Sequence, residues 1–255
     1  MVCANPANIV FRHARLNIVI LAQFLRLQIP VKINKTQRLQ KWFEENPGLD
    51  NFSYGEFMHI GANQTIFRIA LDALDVNQNT VVLDTACAVG GNARWLASLY
   101  QCRVYGNDID DNALAAARDL AEIEGIADKC TFVKASSDQL PFESEMFDGV
   151  ISTDIFDSNE VLRVLKPGGW FVVSTLVTDQ KATFQDLANN WGFSYSDGQD
   201  ITALAFAFHR AKEAEAQLLL KSELIDSKEL VNIINEHVIP YSNGARHFLL
   251  KLLKP

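Results

Sequence analysis

From residue 80 onward, the sequence alternates short runs rich in β-branched and aromatic residues with stretches of helical periodicity. Alternation of this kind indicates a doubly wound α/β domain, in which helices cover both faces of a mainly parallel sheet. The first five runs are TVVLD, CRVYGND, CTFVK, FDGVIS and GWFVVST. Two further runs near the C-terminus, the stretch near WGFSYS and RHFLLKLL, bring the expected number of strands to seven.

The chain of 255 residues is long enough for one such domain with an additional layer. We expect residues 1–50 to form an N-terminal helical lid or arm and residues 51–255 to form the α/β domain. A helical insert is expected at about residues 203–238, before the last strand.

The N-terminal arm is strongly basic. Its first 41 residues contain no Asp or Glu, so all 31 acidic residues follow it. Apolar residues recur in the arm at helical spacing, which favours an amphipathic lid helix; weak contact with an anionic membrane surface and a targeting role are the alternatives. The most apolar stretch is too short to span a bilayer.

The composition excludes some classes of partner and site. The whole chain has a net charge of −8, and the part that follows the basic arm is more acidic still. Such an acidic domain is a poor partner for nucleic acid. The four cysteines contain no C-x-x-C pair, which predicts reduced thiols in the cytoplasm and no metal site.

The turn after the first strand carries the strongest chemical signal. The strand ends in Asp84, and the small residues that follow lead to Gly90 and Gly91, where backbone N–H groups at a helix N-terminus can face a ligand. Asp108, at the end of the second strand, can accept from both hydroxyls of a ribose. NAD and S-adenosylmethionine (SAM) both satisfy this spacing. Asp84 would repel a pyrophosphate but can help hold an ammonium, which is the first feature that favours SAM.

Four segments resemble class I SAM-dependent methyltransferases, specifically the branch that acts on amines and other small molecules. They are VLDTACAVGGNARWLA, VYGNDID, LPFESEMFD and RVLKPGG, and the upstream HIGANQT is similar to that branch as well. The resemblance covers about residues 55–255 and implies a Rossmann-like fold, SAM as the cofactor and methyl transfer as the activity.

The resemblance also implies roles for matching positions in cofactor binding. Asp84 and the backbone of Ala86 would hold the methionine amino group, with Gly90 lining the approach. The remaining implied contacts are Asp108 with the ribose, Ile109 with the adenine, Ser136 and Ser137 with the adenine amino group, and the backbone carbonyl of Ser152 or Thr153 with the methionine amino group. Tyr54 could reach the methionine carboxylate.

The sequence departs from the family pattern at three places. Ala86 and Ala88 replace glycines, and we expect a negative φ at Ala88, since the small residues beside it suggest a rebuilt turn. Ser136 replaces the usual adenine-binding Asp. The segment from Phe147 to Lys166, which normally carries substrate contacts, is shorter than usual by about two helical turns.

The acceptor side offers fewer candidates. Asp154 could steer a cationic or hydroxylic acceptor, although it could equally cap the next helix. His59 could face the site from the N-terminal loop, although it could be a plain loop hydrogen-bonding residue. His209 flanks an apolar wall and is expected to have no catalytic role.

The sequence therefore predicts a cytoplasmic SAM-dependent methyltransferase of a small molecule, with an amine, a hydroxyl or an activated carbon as the acceptor and a homodimer as the candidate assembly. Two alternatives stay open. One is a lipid or quinone head-group methyltransferase at the membrane surface. The other is a degenerate, non-catalytic protein of the same fold.

Overall fold

The computed structural model describes residues 68, 70–72, 74–207 and 239–255, with isolated helical positions between 208 and 238. The chain divides into two compact units, Met1–Trp42 and Phe43–Pro255, and all described residues belong to the second. The expected lid, Tyr54, His59 and His209 lie outside the described residues.

Seven strands form one sheet in the order β3-β2-β1-β4-β5-β7-β6. Strands β1 to β5 run parallel, and β7 is antiparallel to both β5 and β6. The strands are β1 (Val81–Thr85), β2 (Arg103–Asp108), β3 (Cys130–Lys134), β4 (Phe147–Thr153), β5 (Leu165–Val177), β6 (Ser194–Asp200) and β7 (Arg246–Leu253). The predicted doubly wound, mostly parallel seven-stranded fold is confirmed.

Five helices with complete bounds accompany the sheet: α1 (Gly91–Tyr100), α2 (Asp111–Glu124), α3 (Ser158–Val164), α4 (Phe184–Asn190) and α5 (Ile239–Ser242). Residues 202–207 are also helical. Side-chain caps fix three of the helix starts, because Asp110, Asp157 and Thr183 accept hydrogen bonds from the first exposed N–H groups of α2, α3 and α4.

Two apolar clusters lie on opposite faces of the sheet, as the alternation of side chains along each strand requires. Val82 belongs to the cluster that contains Leu96 of α1 and Leu114 of α2. Leu83, its neighbour, belongs to the cluster with Phe147 and Phe171. Because β1 lies in the middle of the sheet and is buried along its whole length, its C-terminal turn is held on a rigid base.

Strand β5 begins earlier than its sequence run suggested. The expected run started at Gly169, but Leu165 already pairs with Phe147 of β4, with an irregularity in the register before Gly149. A Pro-Gly-Gly sequence is typical of a turn, and long-range pairing with β4 overrides that local preference. No helix in the described ranges is long and apolar enough to cross a membrane.

Candidate active site

The turn after β1 adopts a left-handed backbone conformation three times. Ala86 has φ 52°, Ala88 has φ 48° and Gly90 has φ 71°. The expectation of a negative φ at Ala88 is therefore wrong. The physical reason lies in β2: the turn must aim its N–H groups at that strand, where the Cys87 N–H donates to the Asn107 carbonyl at 2.9 Å and the Ala88 N–H donates to Asp108 Oδ2 at 2.8 Å.

Gly90 is required by packing as well as by conformation. A Cβ at this position would lie 2.6 Å from Cε1 of Phe132 and 3.0 Å from Cβ of Ala117. The glycine thus lets the start of α1 approach β3 and α2 closely. The side of the residue that would carry a side chain faces this packed interior, so any contact with a cofactor must come from its backbone.

Asp84 is enclosed at the end of β1. The residue is only 2% exposed, and its Oδ2 accepts a 3.1 Å hydrogen bond from the Ala93 N–H in α1. Burial raises the pKa of this carboxyl to about 8, the charge of Asp108 adds to the rise, and the bond from Ala93 opposes it. A cationic ligand group beside Asp84 would favour the ionised form and offset the burial.

Asp108 is half-buried, and both of its carboxylate oxygens contact the backbone. Oδ2 accepts from Ala88, and Oδ1 accepts from the Asp110 N–H at 3.0 Å. A carboxylate has about four lone-pair sites, so each oxygen can still accept from a ribose hydroxyl. The residue therefore holds the turn and can bind a ligand at the same time.

A cavity of about 440 Å³ lies beside Asp108, within the size range of small-molecule sites. Two exposed aliphatic side chains are among its lining residues, Ile109 with 69% and Ile155 with 60% of its surface accessible. The cavity is lined by Ala86, Asp108, Ile109, Ala135, Ser136, Ser137, Asp138, Ile155, Phe156 and Asp157. Apolar side chains next to carboxylates and hydroxyls suit a molecule with a flat ring and a polar edge.

Buried hydroxyl groups hold the two walls of this cavity. Thr85 Oγ1 donates to Ser137 Oγ at 2.8 Å, and Ser152 Oγ donates to the Ile155 carbonyl at 2.9 Å. Asn107 Nδ2 also donates to Ser137 Oγ, at 3.4 Å. Ser137 is therefore an anchor whose hydroxyl is engaged within the protein, whereas the neighbouring Ser136 is exposed at the cavity.

Asp154 does not cap a helix. Its Oδ1 accepts a 2.6 Å hydrogen bond from the Leu176 N–H at the end of β5, and Asp157 caps α3 instead. The residue is exposed, yet desolvation by neighbouring atoms raises the pKa of its carboxyl, against hydrogen bonds from Leu176 and from the Thr175 side chain. Its φ of 62° is a strained conformation for a residue other than glycine.

Sequence reasoning missed a polar group next to Asp154. His247 Nε2 lies 2.8 Å from Ser174 Oγ, and its Nδ1 lies 2.6 Å from the Tyr241 hydroxyl. Burial lowers the pKa of His247 to about 4, so the imidazole is neutral at physiological pH. Strand alternation offered a signal, because Phe248, Leu250 and Leu252 face one core and His247 must face the other way.

The predicted site residues thus fall into three groups. The first, at the carboxyl ends of β1 and β2, contains Asp84, Ala86, Gly90, Asp108 and Ile109, with Ser136 and Ser137 from the loop after β3. The second contains Thr153 at the end of β4 and Asp154 directly after it. Tyr54 and His59 lie outside the described residues. Among the described His, Cys, Asp and Glu residues, no group of three or more is placed to hold a metal ion.

The strand order and the acid-bearing turn define the class I SAM-dependent methyltransferase fold. Residues 82–169 match the family model described as "Methyltransferase domain". The predicted family resemblance is confirmed.

Relatives and solved structures agree with this assignment. The chain is 33% identical over 125 residues to the methyltransferase GfsG of Streptomyces halstedii (46% of this chain, 44% of the relative). It is 34% identical over 116 residues to a sterol 24-C-methyltransferase of Debaryomyces hansenii (42% of this chain, 31% of the relative). The matched segments therefore span less than half of either relative.

Two solved structures share the fold at low sequence identity. Phosphoethanolamine N-methyltransferase 2 of Haemonchus contortus, in complex with S-adenosyl-L-methionine, superposes with a TM-score of 0.68 at 18% identity, covering 88% of this chain and 60% of that one. The [4+2]-cyclase SpnF superposes with a TM-score of 0.66 at 19% identity, covering 89% and 98%.

Proposed function

We propose that the chain transfers a methyl group from SAM to a small-molecule acceptor, with an amine, a hydroxyl or an activated carbon as the accepting group. One observation carries this proposal: Asp84 and Asp108 end neighbouring parallel strands on either side of a tight turn, and Asp108 opens onto a cavity lined by Ile109 and Ile155. Ligands of open α/β sheets bind at this edge.

The residues around the turn can be assigned to the methionine, ribose and adenine parts of SAM. The enclosed carboxyl of Asp84 and the backbone of Ala86 would hold the methionine ammonium, and Asp108 would accept from the ribose hydroxyls. Ile109 and Ile155 would contact the adenine, with the Ser136 hydroxyl available to its amino group. Bound in this way, SAM would supply an electrophilic methyl group on a sulfonium.

On the acceptor side, Asp154 is the side chain best placed to act. Methyl transfer depends mainly on alignment, and a base is needed only where the acceptor must lose a proton. The carboxyl of Asp154 is fixed by Leu176 and Thr175 and has a raised pKa, so it can hold an acceptor and take up such a proton. His59 and Tyr54 remain proposals for the acceptor and for the methionine carboxylate, respectively.

A non-catalytic role is the second candidate, and the turn itself favours it. Alanine at positive φ costs on the order of 1–2 kcal/mol per residue, and Ala86 and Ala88 both carry that strain. Strain of this size would persist where tight cofactor binding is not required. The cyclase SpnF has the same fold and a different named activity, so fold alone does not decide the reaction.

We also propose a cytoplasmic location and a small molecule as the substrate. A cytoplasmic location is supported by Cys87, Cys102 and Cys130, which are free thiols with pKa values raised by burial. The acidic charge of −8 supports a small molecule over nucleic acid as the substrate. Weak contact of the arm with a membrane is tested by sedimentation with anionic vesicles, and a homodimer by analytical ultracentrifugation.

The proposed activity is tested with the full chain and methyl-tritiated SAM. Panels of aliphatic amines, alcohols, phenols and sterols are supplied as acceptors, and formation of S-adenosylhomocysteine is measured. We expect turnover with at least one class, loss of turnover in Asp108→Ala, and full turnover in the control Asp111→Ala, whose exposed carboxylate pairs with Lys134. SAM binding without turnover on any panel would favour the non-catalytic candidate.

A further inference from the structure

A second polar site lies at the carboxyl ends of β4 and β5, beside β7. Thr153 of β4 and Ser174 of β5 are register partners, so their side chains lie next to each other on one face of the sheet. Ser174 in turn contacts His247 of β7. This face is the one that carries Val82 and Ile151, opposite the cluster of Phe147, Phe171 and Phe248.

His247 is the centre of this site. Besides its two ring contacts with Ser174 and Tyr241, its backbone N–H donates to Thr202 Oγ1 at 2.9 Å. Its carbonyl accepts from the Ile201 N–H at 2.8 Å. One buried residue thus holds both the start of helix 202–207 and the hydroxyl of Tyr241, which fixes that hydroxyl relative to the ends of β4 and β5.

The polar side-chain groups at the ends of β4 and β5 are mainly oxygen atoms. Thr153 Oγ1 is buried and has no hydrogen-bond partner among the described residues. The charge of Asp154 is felt by the Tyr241 hydroxyl, whose pKa is raised mainly by burial. Orphaned buried hydroxyls are uncommon, and a bound ligand is one way to satisfy them.

No described cation neutralises Asp154. Burial raises the pKa of its carboxyl, and hydrogen bonds from the Leu176 N–H and the Thr175 side chain lower it. No basic residue contributes to this shift. Arg246 at the start of β7 points elsewhere: its guanidinium donates to the Ala182 carbonyl and lies 4.6 Å from the centre of the Phe248 ring. The site is therefore acidic and is rich in hydrogen-bond acceptors.

Tyr241 brings an aromatic ring to the site, and the ring of Phe206 packs against it. The rings of Tyr241 and Phe206 lie 5.7 Å apart with an angle of 35° between their planes. Aromatic faces attract cations through the ring quadrupole. A carboxyl, an unpaired hydroxyl and the ring of Tyr241 together favour a ligand that has both a positive charge and N–H donors.

We infer that Thr153, Asp154 and Tyr241 form the acceptor subsite and that it takes the ammonium group of an aliphatic amine, with His247 as a positioning residue for Tyr241; the inference rests on the proposed methyl transfer. A carboxylate or phosphate in this place would meet the Asp154 carboxyl without a described base. A purely apolar group would leave the Thr153 hydroxyl unpaired.

The subsite also accounts for a proton. An ammonium nitrogen has no lone pair, so it cannot accept a methyl group until it gives up one proton. Transfer of that proton to the Asp154 carboxylate leaves a neutral amine with its lone pair and a neutral carboxylic acid, so atoms and charge balance. The raised pKa of Asp154 favours this direction of transfer.

The test compares butylammonium, 1-butanol and butyrate, which share a carbon chain and differ in charge. Each is titrated into the full chain loaded with S-adenosylhomocysteine, and also into the unloaded chain, and binding is followed by NMR chemical shifts. We expect butylammonium to bind at least about tenfold more tightly than butanol, with no saturable binding of butyrate. Equal or weaker binding of butylammonium, or none, would overturn the inference.

Variants separate ligand contacts from structural support. Asp154→Asn keeps an oxygen for Leu176 and should remove the preference for butylammonium over butanol. Thr153→Val keeps the shape of the side chain and should weaken butylammonium binding several-fold without lowering the melting temperature. The control Tyr195→Phe lies on the edge strand β6, beside Phe184, and should change nothing. Persistence of the preference in Asp154→Asn would contradict the assignment.

The role of His247 is tested with a double-mutant cycle. Tyr241→Phe and His247→Asn should each weaken butylammonium binding several-fold, and the double variant should be no weaker than the worse single variant. Additive losses would show that His247 does not act through Tyr241. Turnover with an acceptor but no preference for the ammonium would refute the subsite alone, whereas the preference without SAM binding would refute the proposed function alone.

Discussion

The backbone N–H of Ala88 donates a 2.8 Å hydrogen bond to Oδ2 of Asp108. This bond joins the turn after β1 to the end of β2, the two places where the cofactor is expected to bind. Asp108 therefore has two functions at once. It draws Ala88 into a left-handed conformation, and it presents its remaining lone pairs to the cavity.

Substitution of Asp108 should separate these functions. Asp108→Ala removes charge-assisted hydrogen bonds worth about 1.5–3 kcal/mol each and should weaken SAM binding by at least about tenfold, as measured by calorimetry. Asp108→Asn keeps one oxygen for Ala88 and should lose less affinity. Asp111→Ala, on the exposed side of α2, serves as the control. An unchanged titration in Asp108→Ala would refute the ribose assignment.

Substitution of Ala88 by glycine should relieve backbone strain. Because φ is 48° at this position, Ala88→Gly should raise the free energy of unfolding by about 1 kcal/mol and tighten SAM binding by less than about tenfold. The matched control is Ala115→Gly, an exposed position inside α2, which should lower stability by about 1 kcal/mol. Chemical denaturation measures both, and a loss of stability in Ala88→Gly would show that the turn is not strained.

The sequence predicted what local pattern and strand topology determine. The alternation of strands and helices was sufficient to place Asp84 and Asp108 at one edge of the sheet, because parallel strands end together there. The backbone angle of Ala88 was not predictable, because it depends on a hydrogen bond to Asp108, 20 residues away. The contact between Ser174 and His247 joins residues 73 apart, and no sequence pattern specifies it.

The hydrogen-bond partner of Asp154 was likewise not predictable from local sequence. Its position before a helix suggested a cap, but Asp157, three residues later, has that function, and the peptide N–H of Leu176 holds Asp154 instead. An Asx cap is a local interaction that spacing can suggest, whereas the partner on β5 follows only from the pairing of β4 with β5.

Binding of SAM should release a proton from Asp84. In the folded protein without ligand this carboxyl has a pKa of about 8, so it is largely protonated at neutral pH, and an ammonium beside it would favour ionisation. Affinity should therefore rise with pH and level off near pH 8. Calorimetry in two buffers of different ionisation enthalpy measures the proton count. Asp84→Asn should release none, and a wild-type protein without buffer dependence would contradict the assignment.

His247 should make the protein less stable in mild acid. Its pKa is about 4 in the folded protein against an ordinary value of 6.5, so between these values the unfolded chain binds the proton more tightly. Stability should fall as pH drops from 6.5 to 4, by up to about 1.4 kcal/mol per pH unit from this group. Asp84, with a raised pKa, acts in the opposite direction over the same range.

The comparison of variant with parent isolates the histidine. Urea denaturation measures the free energy of unfolding of His247→Asn and of the parent at each pH. As pH falls below 6.5, the parent should lose stability relative to the variant, and above pH 6.5 the difference between them should be constant. A difference that does not change with pH would mean that His247 titrates normally in the folded protein.

Calorimetric titration of the unmodified full chain with SAM, and then with S-adenosylhomocysteine, tests the central claim most directly. If the turn after β1, Asp108 and the cavity beside Ile109 form a working cofactor site, both ligands should bind saturably with one site per chain and compete with each other. If neither ligand binds the parent protein and binding appears only in Ala88→Gly, the site is a relic and the chain is not a SAM-dependent methyltransferase.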